Sequence, residues 1–124
     1  MPTMTHTAKR RARRDTSWTK GFLAGQITTY CEAILRGTRL VAQVAFQEEH
    51  SQLVMDLVKQ EGCKATTAQV GPGRLSVWIY RDDAVIDLVN QLRSTPQSKL
   101  AMWNMGKLFG YADGEVIDYV RSAR

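Results

Sequence analysis

Apolar residues recur every three or four positions over some stretches of this chain and every second position over others. From Trp18 onward, Phe22, Leu23, Ile27 and Tyr30 share one side at helical spacing, which predicts a helix running to about residue 30. Asp15, Thr16 and Ser17 stand just before it and carry the oxygens that cap a helix start. Residues 32–36 and 39–46 read as strands, parted by Gly37-Thr38 as in a tight hairpin. Helical spacing returns over 51–60, where Leu53, Val54, Leu57 and Val58 form one face and Gly62 falls near the C′ position. A second hairpin over 64–70 and 74–80 turns at Gly71-Pro72-Gly73. Val85, Ile86, Leu88, Val89 and Leu92 mark a helix that opens at Arg81 or Asp82 and is broken by Pro96. Residues 99–109 and 113–122 are helical in pattern, with Gly110 between them.

The order helix, hairpin, helix, hairpin, helix, then extra C-terminal helices predicts an α+β fold. Its sheet would have four antiparallel strands, with the helices gathered on one face and the other face open. Along 39–46 the core set is Leu40, Ala42, Val44 and Phe46, and the open set is Arg39, Val41, Gln43 and Ala45. Along 74–80 the core set is Leu75, Val77 and Ile79, and the open set is Arg74, Ser76, Trp78 and Tyr80. A slip of one residue would exchange the two faces.

A chain of 124 residues is enough for one core. It is 44% hydrophobic and 23% charged, a globular composition. No apolar run approaches the ~18–20 residues of a membrane span, so a membrane partner is not expected. The net charge is +5, and its location matters more than its size. Lys9, Arg10, Arg11, Arg13 and Arg14 lie in the first fourteen residues, which hold no acid; the rest of the chain balances at 12 basic against 12 acidic residues. This divides the chain into a basic arm, 1–16, and a neutral domain, 17–124. Such an arm suits contact with phosphate backbones, because neutralising phosphates releases counterions. A plain solvated tail or an organelle-targeting segment are the other readings, although the arm is short and not amphipathic. Cys31 and Cys63 lack CxxC spacing and read as buried apolar residues in a reducing, intracellular compartment, with a mitochondrion or chloroplast left open. His6 and His50 are isolated, and no Cys/His spacing points to zinc.

The open face would present Arg36, Arg39, Gln43, Lys64, Thr66, Arg74, Ser76 and Trp78. Arg and Lys bond guanine edges or phosphates, Gln pairs with adenine, and an exposed Trp stacks on an unpaired base. The alternative is an ordinary polar sheet face with Trp78 packed beneath a terminal helix.

The segment from Trp18 to Glu32, W-T-K-G-F-L-A-G-Q-I-T-T-Y-C-E, resembles the signature helix of the LAGLIDADG homing endonucleases. V-A-F-Q (Val44 to Gln47) before the second helix and P-x-x-K (Pro96 to Lys99) followed by Trp103 extend the resemblance to about Phe109. The family fold, αββαββα, places two hairpins as a saddle over a DNA major groove, and its signature helices pack side by side in pairs. The resemblance therefore implies a seam at Gly21, Ala24, Gly25 and Thr28, in a homodimer or a pseudo-dimer with a related chain. Glycines four apart inside a helix, each costing ~1 kcal/mol against alanine, need a reason such as close backbone approach; packing of the helix on its own sheet is the other one.

The departure lies in the chemistry. Thr28 and Tyr30 stand where the family carries its two aspartates. Metal-assisted phosphodiester cleavage needs anionic oxygen ligands for Mg²⁺, and neither side chain supplies one. Gln47 and Lys99 fall where the family has polar and basic active-site residues, and Glu32 is the nearest acid, two residues beyond the motif. The expectation is a binder of RNA or DNA on a degenerate scaffold, such as a splicing helper or a subunit of a large RNA–protein particle, without a cofactor. The alternatives are an endonuclease using Mg²⁺ at an altered site, with Glu32, Gln47 and Lys99 as candidates, and a module that hetero-dimerises through the first helix.

Overall fold

The computed structural model describes residues 6–95 and 98–122, with side chains from residue 18 onward. Helix α1 spans His6–Arg36, a rod of 31 residues, ~46 Å long at 1.5 Å per residue. It runs unbroken through Asp15, Thr16 and Ser17, which are interior to the helix and not at its start. It also takes in residues 32–36, expected as the first strand of a hairpin. The spacing explains this correction. Cys31 and Ile34 prolong the stripe of Leu23 and Ile27, and all four are buried. The helix ends at Gly37, whose φ is +79°. Gly37 N–H donates to the Ile34 carbonyl at 3.1 Å and Thr38 N–H to the Ala33 carbonyl at 3.0 Å, a Schellman ending in place of a hairpin turn.

Strand β1 (Val41–Gln47) follows, then a single 3₁₀ turn (Glu48–His50) and helix α2 (Ser51–Gln60). Strands β2 (Lys64–Gly71) and β3 (Arg74–Tyr80) form the expected second hairpin, and helices α3 (Asp83–Ser94), α4 (Lys99–Leu108) and α5 (Asp113–Ser122) complete the chain. The fold is α+β with an antiparallel sheet. Among the described residues that sheet has three strands in the order β1-β3-β2, not four. Val44 pairs with Val77 and Gln43 with Trp78 on one side of β3; Thr66 pairs with Trp78 on the other.

The strand register follows the alternation read from the sequence. Ala42, Val44, Phe46, Val77 and Ile79 meet Leu23, Ile27, Cys31 and Ile34 of α1 and Val54 and Val58 of α2 in the first core. Leu40 does not belong to it: it precedes β1 and is 44% exposed.

The opposite face is open only in part, with Gln43, Ala45, Thr66 and Arg74 exposed and its other end covered, and this is the second correction. Val41, Trp78 and Tyr80 are buried beneath Ile86 and Val89 of α3 and Leu108 of α4, with Met105 and Phe109 beside them. The helices therefore pack on both faces of the sheet, giving a three-layer domain. The physical reason is that Val41, Trp78 and Tyr80 are too apolar to be left in water, and the C-terminal helices carry an apolar stripe that needs a surface. Helix α5 packs on α4 at Gly106, where an added Cβ would lie 3.0 Å from Val116. Among the described residues no helix is long and apolar enough to cross a membrane.

Candidate nucleic-acid interface

The basic run Lys9, Arg10, Arg11, Arg13 and Arg14 falls in the first turns of α1, where the backbone is helical and the side chains lie outside the described residues. At 3.6 residues per turn, positions 9, 10, 13 and 14 share one side of a helix. Farther along, Trp18 is 71% exposed and Phe22 60% exposed. The two rings stack, with centroids 5.4 Å apart and planes 10° from parallel. Neither belongs to the buried stripe that starts at Leu23, so a pair of aromatic rings stands in solvent just past the basic turns.

The sheet-face candidates divide into those the fold consumes and those it leaves free. Trp78 is consumed. It is 5% exposed, its ring lies 5.9 Å from that of Phe109, and the Arg93 guanidinium sits 4.9 Å over it. It cannot stack on a base where it stands, and its Nε1 has no hydrogen-bond partner among the described residues. Ser76 is buried and accepts a hydrogen bond from the Gln43 amide at 2.8 Å.

Arg39 is likewise occupied. Its Nε and Nη2 donate to the Phe109 carbonyl at 2.9 and 2.8 Å, and its guanidinium covers the Tyr30 ring at 4.6 Å. It clamps the end of α4 to the α1–β1 connection. Lys64 pairs with Asp83 at 2.9 Å, and this bond and charge hold its ammonium pKa above the ordinary value. Arg36, at the last turn of α1, Thr66 on β2 and Arg74 at the start of β3 are exposed.

The expected seam residues do not share one environment. Gly21 and Gly25 face outward, and a Cβ on either would meet nothing within 4 Å. Ala24 and Thr28 are half-buried on the flank of the helix. A shallow hollow of about 430 Å³ follows Gly21, Phe22, Gly25, Gln26, Thr29 and Tyr30 along the outer side of α1.

Glu32, Gln47 and Lys99 are all exposed, and the fold does not gather them. Gln47, at the end of β1, borders one hollow with Thr19, Phe22 and Gln26 of α1, whereas Glu32 lies nearly two turns beyond Gln26. Lys99 opens α4 in the opposite layer. Among the described residues no three of His, Cys, Asp and Glu come together in a way that could hold a metal ion. The two cysteines are buried, and Cys63 Sγ lies 3.9 Å from the Cys31 carbonyl. Burial, with the neighbouring Cys63, pushes the Cys31 thiol up to about 12; burial raises Cys63 as well.

Sequence reasoning placed Phe22 on the apolar side of the first helix, where it is in fact 60% exposed, read His50 as isolated and did not single out Gln26; the three line a common cavity with Gln47 and Arg74. Phe22 had a signal in the sequence, since it lies off the 23/27/31/34 stripe and one turn from Trp18. His50 had none, because a single 3₁₀ turn has no apolar periodicity to read. Comparison with protein-family models gives no match, and comparison with curated proteins gives none either.

Proposed function

We propose that this protein binds nucleic acid, RNA or DNA, through the basic first turns of α1 and the stacked aromatic pair that follows them. One observation carries the reading: the entire excess of positive charge lies in the first fourteen residues, while the rest of the chain is neutral. On a continuous helix four of those five positions, 9, 10, 13 and 14, share one side, ahead of exposed rings suited to base stacking. Trp78 and Ser76 are buried and would reach no groove, which leaves Gln43, Thr66 and Arg74 as the exposed members of the sheet face. In this proposal the LAGLIDADG-like segment survives as a helix scaffold, with Thr28 and Tyr30 where carboxylates would bind metal. A structural role in an RNA–protein particle, or in assisting RNA splicing, fits a neutral body with one basic extension.

The test is affinity measured against salt, for the full chain and for a chain lacking residues 1–14. Five phosphate contacts correspond to a slope of log K on log salt of about −3.5 to −4.5, and the deletion should flatten most of it. Equal slopes for the two chains would remove the arm from the account.

The hollow beside Gly21 and Gly25 favours a second reading, in which α1 pairs with a second copy of the chain. Gly25→Leu would fill the hollow without touching the core, so sedimentation should show a dimer lost in the variant. A variant that associates as the parent does would place the seam wrongly.

A further inference from the structure

Helix α1 turns one side to the sheet and α2 and leaves the other to water. Leu23, Ile27, Cys31 and Ile34 make the buried side. A step of four residues turns an α-helix by about 400°, so positions 10, 14, 18 and 22 drift only ~40° at each step and form one slowly winding line. That line lies opposite the buried stripe, and it reads Arg10, Arg14, Trp18, Phe22. Gly21, Gly25 and Thr29 share its side, and the shallow hollow along them continues it. Glu32 is the next residue on this side; its carboxylate repels phosphate, so the line ends there.

Trp18 and Phe22 are exposed and stack on each other, and neither ring belongs to either core. Each ring gives one face to the other, so a face is left on the outside of the pair. The fold does not demand the two glycines either. Neither has a left-handed backbone, and a Cβ on either would meet nothing within 4 Å. Each weakens the helix by ~1 kcal/mol against alanine. Their effect is to lay the helix backbone bare beside the rings.

Resting on the nucleic-acid reading above, we infer that this side of α1 is a track for a single, unpaired nucleic-acid strand. Phosphates meet positions 10 and 14, and a base stacks on the outer face of the Trp18–Phe22 pair. The next base lies flat over Gly21 and Gly25, where no side chain stands in its way. From position 10 to position 29 the track is ~28 Å long, room for roughly eight nucleotides at the stacked spacing of ~3.4 Å. A duplex does not fit this arrangement, because its base faces are covered by their neighbours and offer the rings nothing to stack on. Backbone charge and base faces are common to RNA and DNA, so the shared chemistry is that of a single strand.

Fluorescence anisotropy of the full chain tests this, with a labelled RNA strand of about twelve nucleotides, the DNA strand of the same sequence and the DNA duplex. The single strands should bind about tenfold tighter than the duplex; the tighter of the two identifies the source, and either result supports the track. Trp18→Ala and Phe22→Ala should each lose about tenfold on single strands. Duplex affinity and the salt slope should stay as they are, since stacking neutralises no phosphate. Both residues are exposed, so circular dichroism should match the wild type. Gly25→Leu should also weaken single strands about tenfold, with wild type and variant sedimenting alike as monomers. A wild-type dimer that is lost in Gly25→Leu assigns the hollow to a second copy and overturns its use by the strand. Equal binding of single strands and duplex by the wild type, or ring variants that bind as the wild type does, overturns the track and leaves the basic turns as the binder. No binding of any oligomer by the wild type overturns the nucleic-acid reading and this inference together.

Discussion

Replacing Trp78 by alanine distinguishes a side chain that reads nucleic acid from one that holds two layers together. An exposed stacking residue would be lost at the expense of affinity alone. Trp78 instead lies 5% exposed between β3 and helices α3 and α4. Aromatic side chains bury 150–250 Å², which at ~25 cal/mol per Å² corresponds to about 4–6 kcal/mol. Measured Trp→Ala and Phe→Ala losses in cores are about 3–5 kcal/mol. We expect Trp78→Ala to lose about 3–5 kcal/mol, a large part of the ~5–15 kcal/mol of a small domain. Trp78→Phe should behave differently. It keeps the ring against Phe109, gives up a little area, and removes Nε1, whose burial without a partner costs ~1–3 kcal/mol. Those changes oppose each other, so Trp78→Phe should stay within about 1 kcal/mol of the parent. Urea unfolding followed by far-ultraviolet circular dichroism measures both. A Trp78→Ala midpoint equal to wild type would refute the second core, and equal losses for Ala and Phe would refute the account of the unpaired nitrogen.

Three further outcomes follow from the packing and the buried thiols. Arg39→Ala should cost ~1–3 kcal/mol in a denaturant titration, because the Phe109 carbonyl loses both its donors; an unchanged midpoint would show that the clamp is dispensable. Gly110→Ala should lower the melting temperature far more than Gly37→Ala. Both glycines have φ near +80°, worth roughly 1–2 kcal/mol for a residue with a Cβ, but only at Gly110 would that Cβ lie 2.5 Å from the Thr38 carbonyl oxygen. Equal shifts would mean that the approach of α4 to the α1–β1 turn is looser than described. The fold should also weaken at alkaline pH. Cys31 stays protonated in the folded state up to about 12, against 9.0 ordinarily, so above pH 9 the unfolded chain releases a proton that the folded chain keeps. Stability then falls by up to ~1.4 kcal/mol per pH unit until the folded thiol titrates. Cys31→Ala should reduce that slope, and an identical alkaline profile in the variant would exclude the thiol as its cause.

Most of what local period governs was legible in the sequence. The alternation in 74–80 placed Val77 and Ile79 in the correct core, and Gly71-Pro72-Gly73 marked the correct turn. The 32–36 segment misled because Gly37-Thr38 looks the same ahead of a hairpin and after a helix. The deciding signal was the three-to-four spacing that carries Leu23 and Ile27 on to Cys31 and Ile34. The second core was harder. Alternation correctly put Val41, Trp78 and Tyr80 on one face, but it does not say what covers that face. That depends on α3 and α4 returning over the sheet from far along the chain. The cavity at His50 was illegible for the same reason, since its lining comes from α1, β1, the 3₁₀ turn and β3. No window of sequence holds those pieces together.

The strand order β1-β3-β2 has a consequence for how the protein is made. Among the described residues both outer strands pair only with β3, and β3 is the last of the three to be synthesised. While residues 74–80 are still inside the ribosome, β1 has no ladder to join, and α1 has no finished sheet on which to lay Leu23 and Ile27. The β2–β3 hairpin, joined by a short turn, is the local pairing that forms first once the strand emerges. Until β1 then docks on its free edge, a nascent chain displays the apolar side of a long helix beside a basic segment. That interval, more than the finished fold, is when the chain most needs a companion.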